Sequence, residues 1–222
     1  MKIALLGKGK TGGKVAEIHI GELTVFDTSN VATVEKLKGH DVVISFLPGE
    51  PFRELIPVLI EAKIPVVTGS TGFEWPSDIS DKLIENNVAW VKAHNFSLGM
   101  NLMKQMIMSL SKAAELFKEY KFHIHEVHHT KKLDAPSGTA ISWSDWLGLP
   151  NEITSERTGD VVGDHMLTLE TPTEKMTIRH EALDRKIFAE GALWAAEKTL
   201  EGYFPKGLND FQTYIQDKIF SN

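Results

Sequence analysis

The sequence predicts an α/β protein in two parts: a doubly wound parallel sheet over roughly the first hundred residues, then a smaller α+β part. Three observations carry this. Short apolar runs rich in β-branched residues alternate with helical patterns from Ile3 to Val91, a long amphipathic stretch starts near Asn101, and beyond it strands and helices no longer alternate.

The runs are Ile3 to Leu6, Leu23 to Phe26, Val42 to Leu47, Ile64 to Thr68 and Val88 to Val91. None alternates strictly with polar residues, as expected where helices cover both faces of a parallel sheet. The segment NLMKQMIMSLSKAAELFKEY sets Leu102, Met106, Leu110, Ala113 and Phe117 at helical spacing and leaves Lys112, Glu115 and Glu119 for a wetter face. One long helix should therefore link the parts. KFHIHEVHH, HMLTLET and EKMTIRHEA read as strands, the last two joined across Pro172, and Asp184 to Leu200 reads as helix. No internal repeat is present.

A chain of 222 residues that is 42% hydrophobic can bury two modest cores. Its net charge of −6 argues against the broad basic surface that nucleic acid requires. The absence of cysteine excludes disulfides, a thiolate nucleophile and a Cys-ligated zinc site. MKIALLGKG starts a strand at once without the features of a signal peptide, and no apolar run reaches membrane-spanning length, so a cytoplasmic protein with no membrane partner is expected.

GKGKTG follows the first run, and its Gly7, Gly9 and Gly12 form G-x-G-x-x-G at a strand-to-helix junction. Such glycines allow a tight turn and close approach of backbone to a pyrophosphate, while the helix start offers free N–H donors. Asp27 ends the second run about 20 residues on, where an acid binds ribose hydroxyls. A dinucleotide site is therefore expected. TGSTGF after the fourth run and AHNFSLGMN after the fifth lie at the same sheet edge, where ligands of open α/β sheets gather.

The densest ionisable stretch is EVHHTKKLDAPSGTA, 126–140. Strand alternation puts His123 and His125 on one face with His129, and His128 on the other. A zinc site needs a third converging ligand, which the spacing does not supply, so no metal is expected. Imidazole delivers a proton near neutral pH, lysine binds a carboxylate, and Ser-Gly-Thr at a helix start donates to another anion. The combination suits an anionic small molecule undergoing protonation.

EVHHTKKLDAPSGTA resembles the signature of the 4-hydroxy-tetrahydrodipicolinate reductase (dihydrodipicolinate reductase) family of diaminopimelate and lysine biosynthesis. The likeness continues in order through GKGKTG, VVTGSTGF, HNFSLGMN, RTGDVVGDH and IRHEALDRKIFAEGALWAA, nearly the whole chain. It implies NAD(P)H-dependent reduction of a cyclic dicarboxylate with loss of water. By position in the motif, it makes His128 the general acid and gives His129, Lys132, Ser137, Gly138 and Thr139 to the substrate carboxylates. The nucleotide loop would be Gly7, Lys8, Gly9, Lys10, Thr11 and Gly12, with Asp27 at the adenosine ribose. Gly69, Ser70, Thr71, Ala93, Asn95 and Phe96 would line the nicotinamide side.

The resemblance further implies a Rossmann-like domain completed by the C-terminal segment, 1–98 with 201–222, and a substrate-binding and oligomerisation domain, 99–200, that assembles a homotetramer. The sequence departs from the family in a short region after Asp27, in Ser45 where aspartate is usual and in His94 where proline is usual. Asp27 would repel a 2′-phosphate, so NADH is favoured over NADPH, with Lys8 and Lys10 as competing cations. Another nicotinamide-dependent oxidoreductase of an amino or imino acid, and a catalytically silent dinucleotide-binding protein, are the alternative readings.

Overall fold

A computed structural model describes residues 1–217. The described residues form two compact units, Met1–Ser97 with 185–217, and Leu98–Asp184.

In the first unit β1 (Ile3–Leu6), β2 (Leu23–Phe26), β3 (Val42–Ser45), β4 (Val66–Thr68), β5 (Ala89–Lys92) and β10 (Gly207–Asp210) form one sheet in the order β10-β5-β4-β3-β1-β2. All five pairings are parallel. Alternate residues of β1 explain its unbroken apolar run: Ile3 and Leu5 enter one core, Ala4 and Leu6 the other. The first core is closed by Val15 of α1 (Lys10–Ile18) and the alanines of α7 (Lys186–Leu200). The second is closed by Phe52, Ile56 and Leu59 of α3 (Gly49–Glu61) and by Ile79 and Leu83 of α4 (Ile79–Glu85). Each buried side chain of this size contributes roughly 1.5–3 kcal/mol against exposure.

The strand order reverses at β1, since β2 lies on one side and β3 on the other. Ligands of such sheets bind beyond the carboxyl ends of the strands at this point. Between Asp27 and β3 the only helix is the single turn α2 (Val34–Leu37), in keeping with the short sequence there.

The boundary expected at residue 201 falls instead at Arg185. Helix α7 belongs to the first unit because its small face, Ala189, Gly191, Ala192, Ala195 and Ala196, is buried against that sheet. A Cβ on Gly191 would lie 1.8 Å from the carbonyl oxygen of Phe96, so glycine is required for this approach. Strand β10 had no sequence signal of its own. It completes the sheet beside β5, as the resemblance implied.

The second unit contains α5 (Leu98–Ala113), a 3₁₀ turn, β6 (Lys121–His128), α6 (Gly138–Leu147), β7 (Asn151–Arg157), β8 (Gly163–Glu170) and β9 (Lys175–Ala182). Its sheet runs β7-β6-β8-β9, with β7 parallel to β6 and the other pairs antiparallel. The expected hairpin around Pro172 joins β8 and β9. One sheet face packs Phe122, Ile124, Leu167 and Leu169 against Ile107 of α5 and Trp143 and Leu147 of α6.

Helix α5 turns a different stripe inward from the one expected. Met100, Met103 and Ile107 are buried, whereas Leu102 and Met106 are 51% and 39% exposed. Two registers of apolar residues compete in this methionine-rich helix, and the contacts of its first turns select the other one. Leu110 and Phe117 do pack against the core, as their spacing suggested. Strand β7 carries no apolar run to mark it in the sequence, because NEITSER is polar and forms an edge of the sheet.

Candidate active site

Strand β6 frames the site. Its alternation buries Phe122, Ile124, Glu126 and His128 and sends His123 and His125 to the other face, as the pattern predicted. The apolar side thus ends in two polar residues, Glu126 with no exposure and His128 with 7%. Buried polar groups need partners. Glu126 accepts from Arg157 Nη2 at Oε1 (2.8 Å), from Arg157 Nη1 at Oε2 (3.1 Å), from the Ser137 amide at Oε1 (3.2 Å) and from the His128 imidazole, whose Nδ1 faces Oε2, with the Ser155 side chain as a further donor.

Strand register brings these groups together. Arg157 on β7 stands opposite His128, and His165 on β8 stands opposite Glu126. Arg157 also donates to the Asp134 carbonyl oxygen at 2.5 Å, tying the loop after β6 to the strand. The His165 ring lies 5.0 Å from that of His128, and its Nε2 is 3.1 Å from the Ser137 hydroxyl. Gly163 completes the wall: a Cβ there would come within 3.0 Å of His128 Nε2.

Burial alone would raise the Glu126 carboxyl, but hydrogen bonds from Arg157, Ser155 and His128 hold it down at about 2. Glu126 is therefore ionised, and Nδ1 of His128 must be the donor between them. Burial lowers the His128 imidazole below its ordinary value, Glu126 opposes this, and Lys132 and Arg157 reinforce it. His165, buried and facing His128, is pushed down to about 4 and stays neutral.

The loop after β6 carries the remaining predicted groups. Lys132 donates to both carboxylate oxygens of Asp134, at 2.8 and 2.7 Å, while Lys131 is exposed. His129 is half-buried, and its Nδ1 is buried without a hydrogen-bond partner among the described residues. A cis peptide joins Ala135 to Pro136, after which Ser137 caps α6 by accepting from the Ala140 amide at 3.2 Å. The Ser137 hydroxyl and amide are thus engaged within the protein. Gly138 and Thr139 start the helix, where first-turn N–H groups have no intrahelical acceptor, and a Cβ on Gly138 would meet open space. His128, His129, Lys132, Ser137, Gly138 and Thr139 therefore lie in one region, with Ser137 as its brace.

At the sheet edge of the first unit, Gly7 has φ +81°, a region that favours glycine. A Cβ on Gly12 would lie 2.2 Å from the Gly7 carbonyl oxygen, whereas one on Gly9 would meet nothing within 4 Å among the described residues. Two glycines make the turn and the third opens it, with Lys8 and Lys10 exposed and Thr11 half-buried beside it. This fits a pyrophosphate approaching the start of α1. Asp27 is exposed at the end of β2, where its Oδ1 accepts from the Ser29 amide and hydroxyl and the Asn30 amide. These bonds, the Ser29 hydroxyl foremost, keep it ionised.

Of the groups expected near a nicotinamide, Thr71 is exposed, and Ser70 is buried with its hydroxyl 3.2 Å from that of Ser45. Ser45, the departure from the family pattern, is thus absorbed in a local hydrogen bond. Gly69 is held against Phe46, whose ring a Cβ would meet at 2.5 Å. Ala93 is buried, and Asn95 accepts from the Ser97 amide at 2.8 Å. The Phe96 ring sits in the core against Phe46 and Phe211, so what it offers a ligand is backbone.

The model of the C-terminal part of dihydrodipicolinate reductase matches residues 99–214, more than half of the chain. A 4-hydroxy-tetrahydrodipicolinate reductase of Thermosipho africanus is 41% identical over 205 residues, covering 89% of this chain and 90% of its own. That of Methanococcoides burtonii is 33% identical over 213 residues, covering 86% and 80%. The chain belongs to the dihydrodipicolinate reductase family. The resemblance in the motifs is thereby borne out, and with it an oxidoreductase of diaminopimelate and lysine biosynthesis. A dipicolinate-bound dihydrodipicolinate reductase from Paenisporosarcina sp. TG-14 shares the fold, with a TM-score of 0.74 at 21% identity over 95% of this chain and 97% of that one. A reductase with this Rossmann-like first unit implies a nicotinamide dinucleotide as reductant.

Sequence reasoning assigned no role to Glu126, Arg157, Gly163 and His165. Glu126 had a signal, since it stands two residues before His128 on a strand and must share its face. The other three lie on β7 and β8, and only register brings them to it.

Proposed function

We propose that the protein reduces 4-hydroxy-tetrahydrodipicolinate to tetrahydrodipicolinate, with NADH as the preferred reductant. Hydride and one proton are taken up and one water is lost, so atoms and charge balance. The nicotinamide supplies the hydride. The observation that carries the reading is the placement of His128 between an ionised buried carboxylate and a loop of anion-binding groups.

With Nδ1 committed to Glu126, Nε2 is the ring position left to give a proton to the substrate carbon. The first-turn N–H groups of Gly138 and Thr139 bind one carboxylate, helped by the positive end of α6. Lys132 exchanges Asp134 for substrate, a swap of one carboxylate for another that leaves its charge compensated. His129, with its unpartnered Nδ1, takes the second carboxylate. In the first unit Gly7 to Gly12 bind the pyrophosphate and Asp27 the adenosine ribose, while Gly69, Ser70, Thr71, Ala93, Asn95 and the backbone of Phe96 line the nicotinamide side. The same reading makes the protein a cytoplasmic homotetramer assembled through the second unit. What supports that part is membership of the family.

Calorimetric titration with dipicolinate, a planar dicarboxylate, in the presence of NADH tests the substrate site. Binding that Lys132→Ala weakens at least about tenfold is expected, since a charge-assisted bond to a buried group contributes more than 1.4 kcal/mol. Absence of binding, or equal binding of a ring with one carboxylate, would argue for a different substrate.

A further inference from the structure

We propose that Glu126 is the positioning residue of this site: one buried carboxylate fixes the tautomer of His128 with one oxygen and braces the carboxylate cradle with the other. The proposal rests on the reductase reading, because it gives a purpose to the proton on His128.

Glu126 is fully buried in the middle of the sheet, and the chemistry described so far does not need it to touch substrate. A carboxylate in that position carries a large desolvation cost and is often no more stable than an apolar residue of the same volume. Its hydrogen bonds show what it does. Oε2 accepts from His128 Nδ1, and Oε1 accepts from the Ser137 amide at the cap of α6, the helix whose first turn binds the substrate carboxylate. Arg157 clamps both oxygens and, through the Asp134 carbonyl, the loop that carries Lys132. Proton donor, anion-binding helix and lysine loop are thus referenced to one side chain.

The groups facing His128 leave this role to Glu126. From the loop comes Lys132, from β7 Arg157, from β8 Gly163 and the neutral His165, and the last is itself influenced by His180 and Asp164. Glu126 is the acceptor at Nδ1. When Nε2 gives its proton to substrate, Nδ1–H stays on Glu126, the carboxylate remains ionised, and the next proton returns to Nε2. Without the carboxylate, the imidazole is free to carry its single proton on Nε2 with Nδ1 bare, and the Arg157 charge beside it disfavours the imidazolium.

Two measurements test this. In the wild-type protein with ¹⁵N-labelled histidine, the His128 signal, assigned by its loss in His128→Gln, should report the Nδ1–H tautomer once the ring is neutral. A neutral ring protonated on Nε2 overturns the proposal, whether or not any variant folds. In turnover, Glu126→Gln should lower kcat about 10- to 1000-fold, leave KM for NADH within about threefold, and move the alkaline fall of kcat to lower pH by about one unit or more. The double variant Glu126→Gln/Arg157→Met, which removes the uncompensated cation, should keep a kcat at least about tenfold below wild type while its alkaline fall moves back towards the wild-type pH, and wild-type kcat in it overturns the proposal. A folded Glu126→Gln variant with the wild-type pH profile overturns it as well. Failure of the wild-type protein to turn over would instead count against the reductase reading, and the tautomer would still decide the question of Glu126.

Discussion

Lys132 Nζ sits 2.8 and 2.7 Å from the two carboxylate oxygens of Asp134, two residues further along the same loop. The ammonium is held in place by a group of the same chemistry as its proposed ligand. Lys131, one position earlier, carries the same charge but is exposed. Truncating a buried charge-assisted contact costs on the order of 2–5 kcal/mol, an exposed one less than about 1 kcal/mol. Lys132→Ala should therefore lower kcat/KM at least about thirtyfold and Lys131→Ala no more than about fivefold. Equal small losses would make the loop a solvated surface rather than a substrate site.

Gly163 is within the reach of one methyl group of His128, the proposed proton donor. Its Cβ would sit 3.0 Å from Nε2 and 3.4 Å from Cδ2 of His128. Gly163→Ala should push the ring aside and reduce kcat about ten- to a hundredfold, with the thermal midpoint little changed. Wild-type turnover in this variant would show that the ring has room to adapt.

Acid should destabilise the second unit in two stages. His165 is depressed from 6.5 to about 4 and Glu126 from 4.5 to about 2 on folding. A depressed group adds stability that is complete above its unfolded value and is lost as pH falls through the folded one. The His165 contribution fades from about 6.5 to 4 and that of Glu126 from about 4.5 to 2. Urea midpoints should fall across both windows, and His165→Asn should flatten the first. A midpoint that stays level between pH 6.5 and 4 would contradict this account of His165.

Asp27 sets the expected cofactor preference. Its Oδ1 is occupied by Ser29 and Asn30, so the ionised Oδ2 is the oxygen left for a ribose hydroxyl. A 2′-phosphate there would meet like charge. Catalytic efficiency at one ionic strength should favour NADH, and Asp27→Ala should narrow the ratio. A clear preference for NADPH would mean that the exposed Lys8 and Lys10 outweigh it.

The first unit was legible almost strand by strand, because β1 to β5 are short apolar runs between helices and parallel burial leaves that mark in the sequence. What failed was local ambiguity. Helix α5 offered two apolar registers, β7 is a polar edge, and the alanine helix α7 gave no sign of which unit it covered. The site divided in the same way. His128, Lys132 and Gly138 share one contiguous motif, whereas Arg157, Gly163 and His165 reach it through the pairing of β6 with β7 and β8. Long-range register has no local signature. The Lys132–Asp134 pair and the internal use of the Ser137 hydroxyl likewise become visible only in three dimensions.

The most direct test is NADH oxidation by the wild-type protein and by His128→Gln with freshly generated 4-hydroxy-tetrahydrodipicolinate, with the product identified. The wild-type protein should consume NADH in step with tetrahydrodipicolinate formation. His128→Gln should bind NADH normally yet turn over roughly 10²- to 10⁴-fold more slowly. No substrate-dependent oxidation by a protein that binds NADH, or a variant as fast as the wild type, would contradict the assignment of this site.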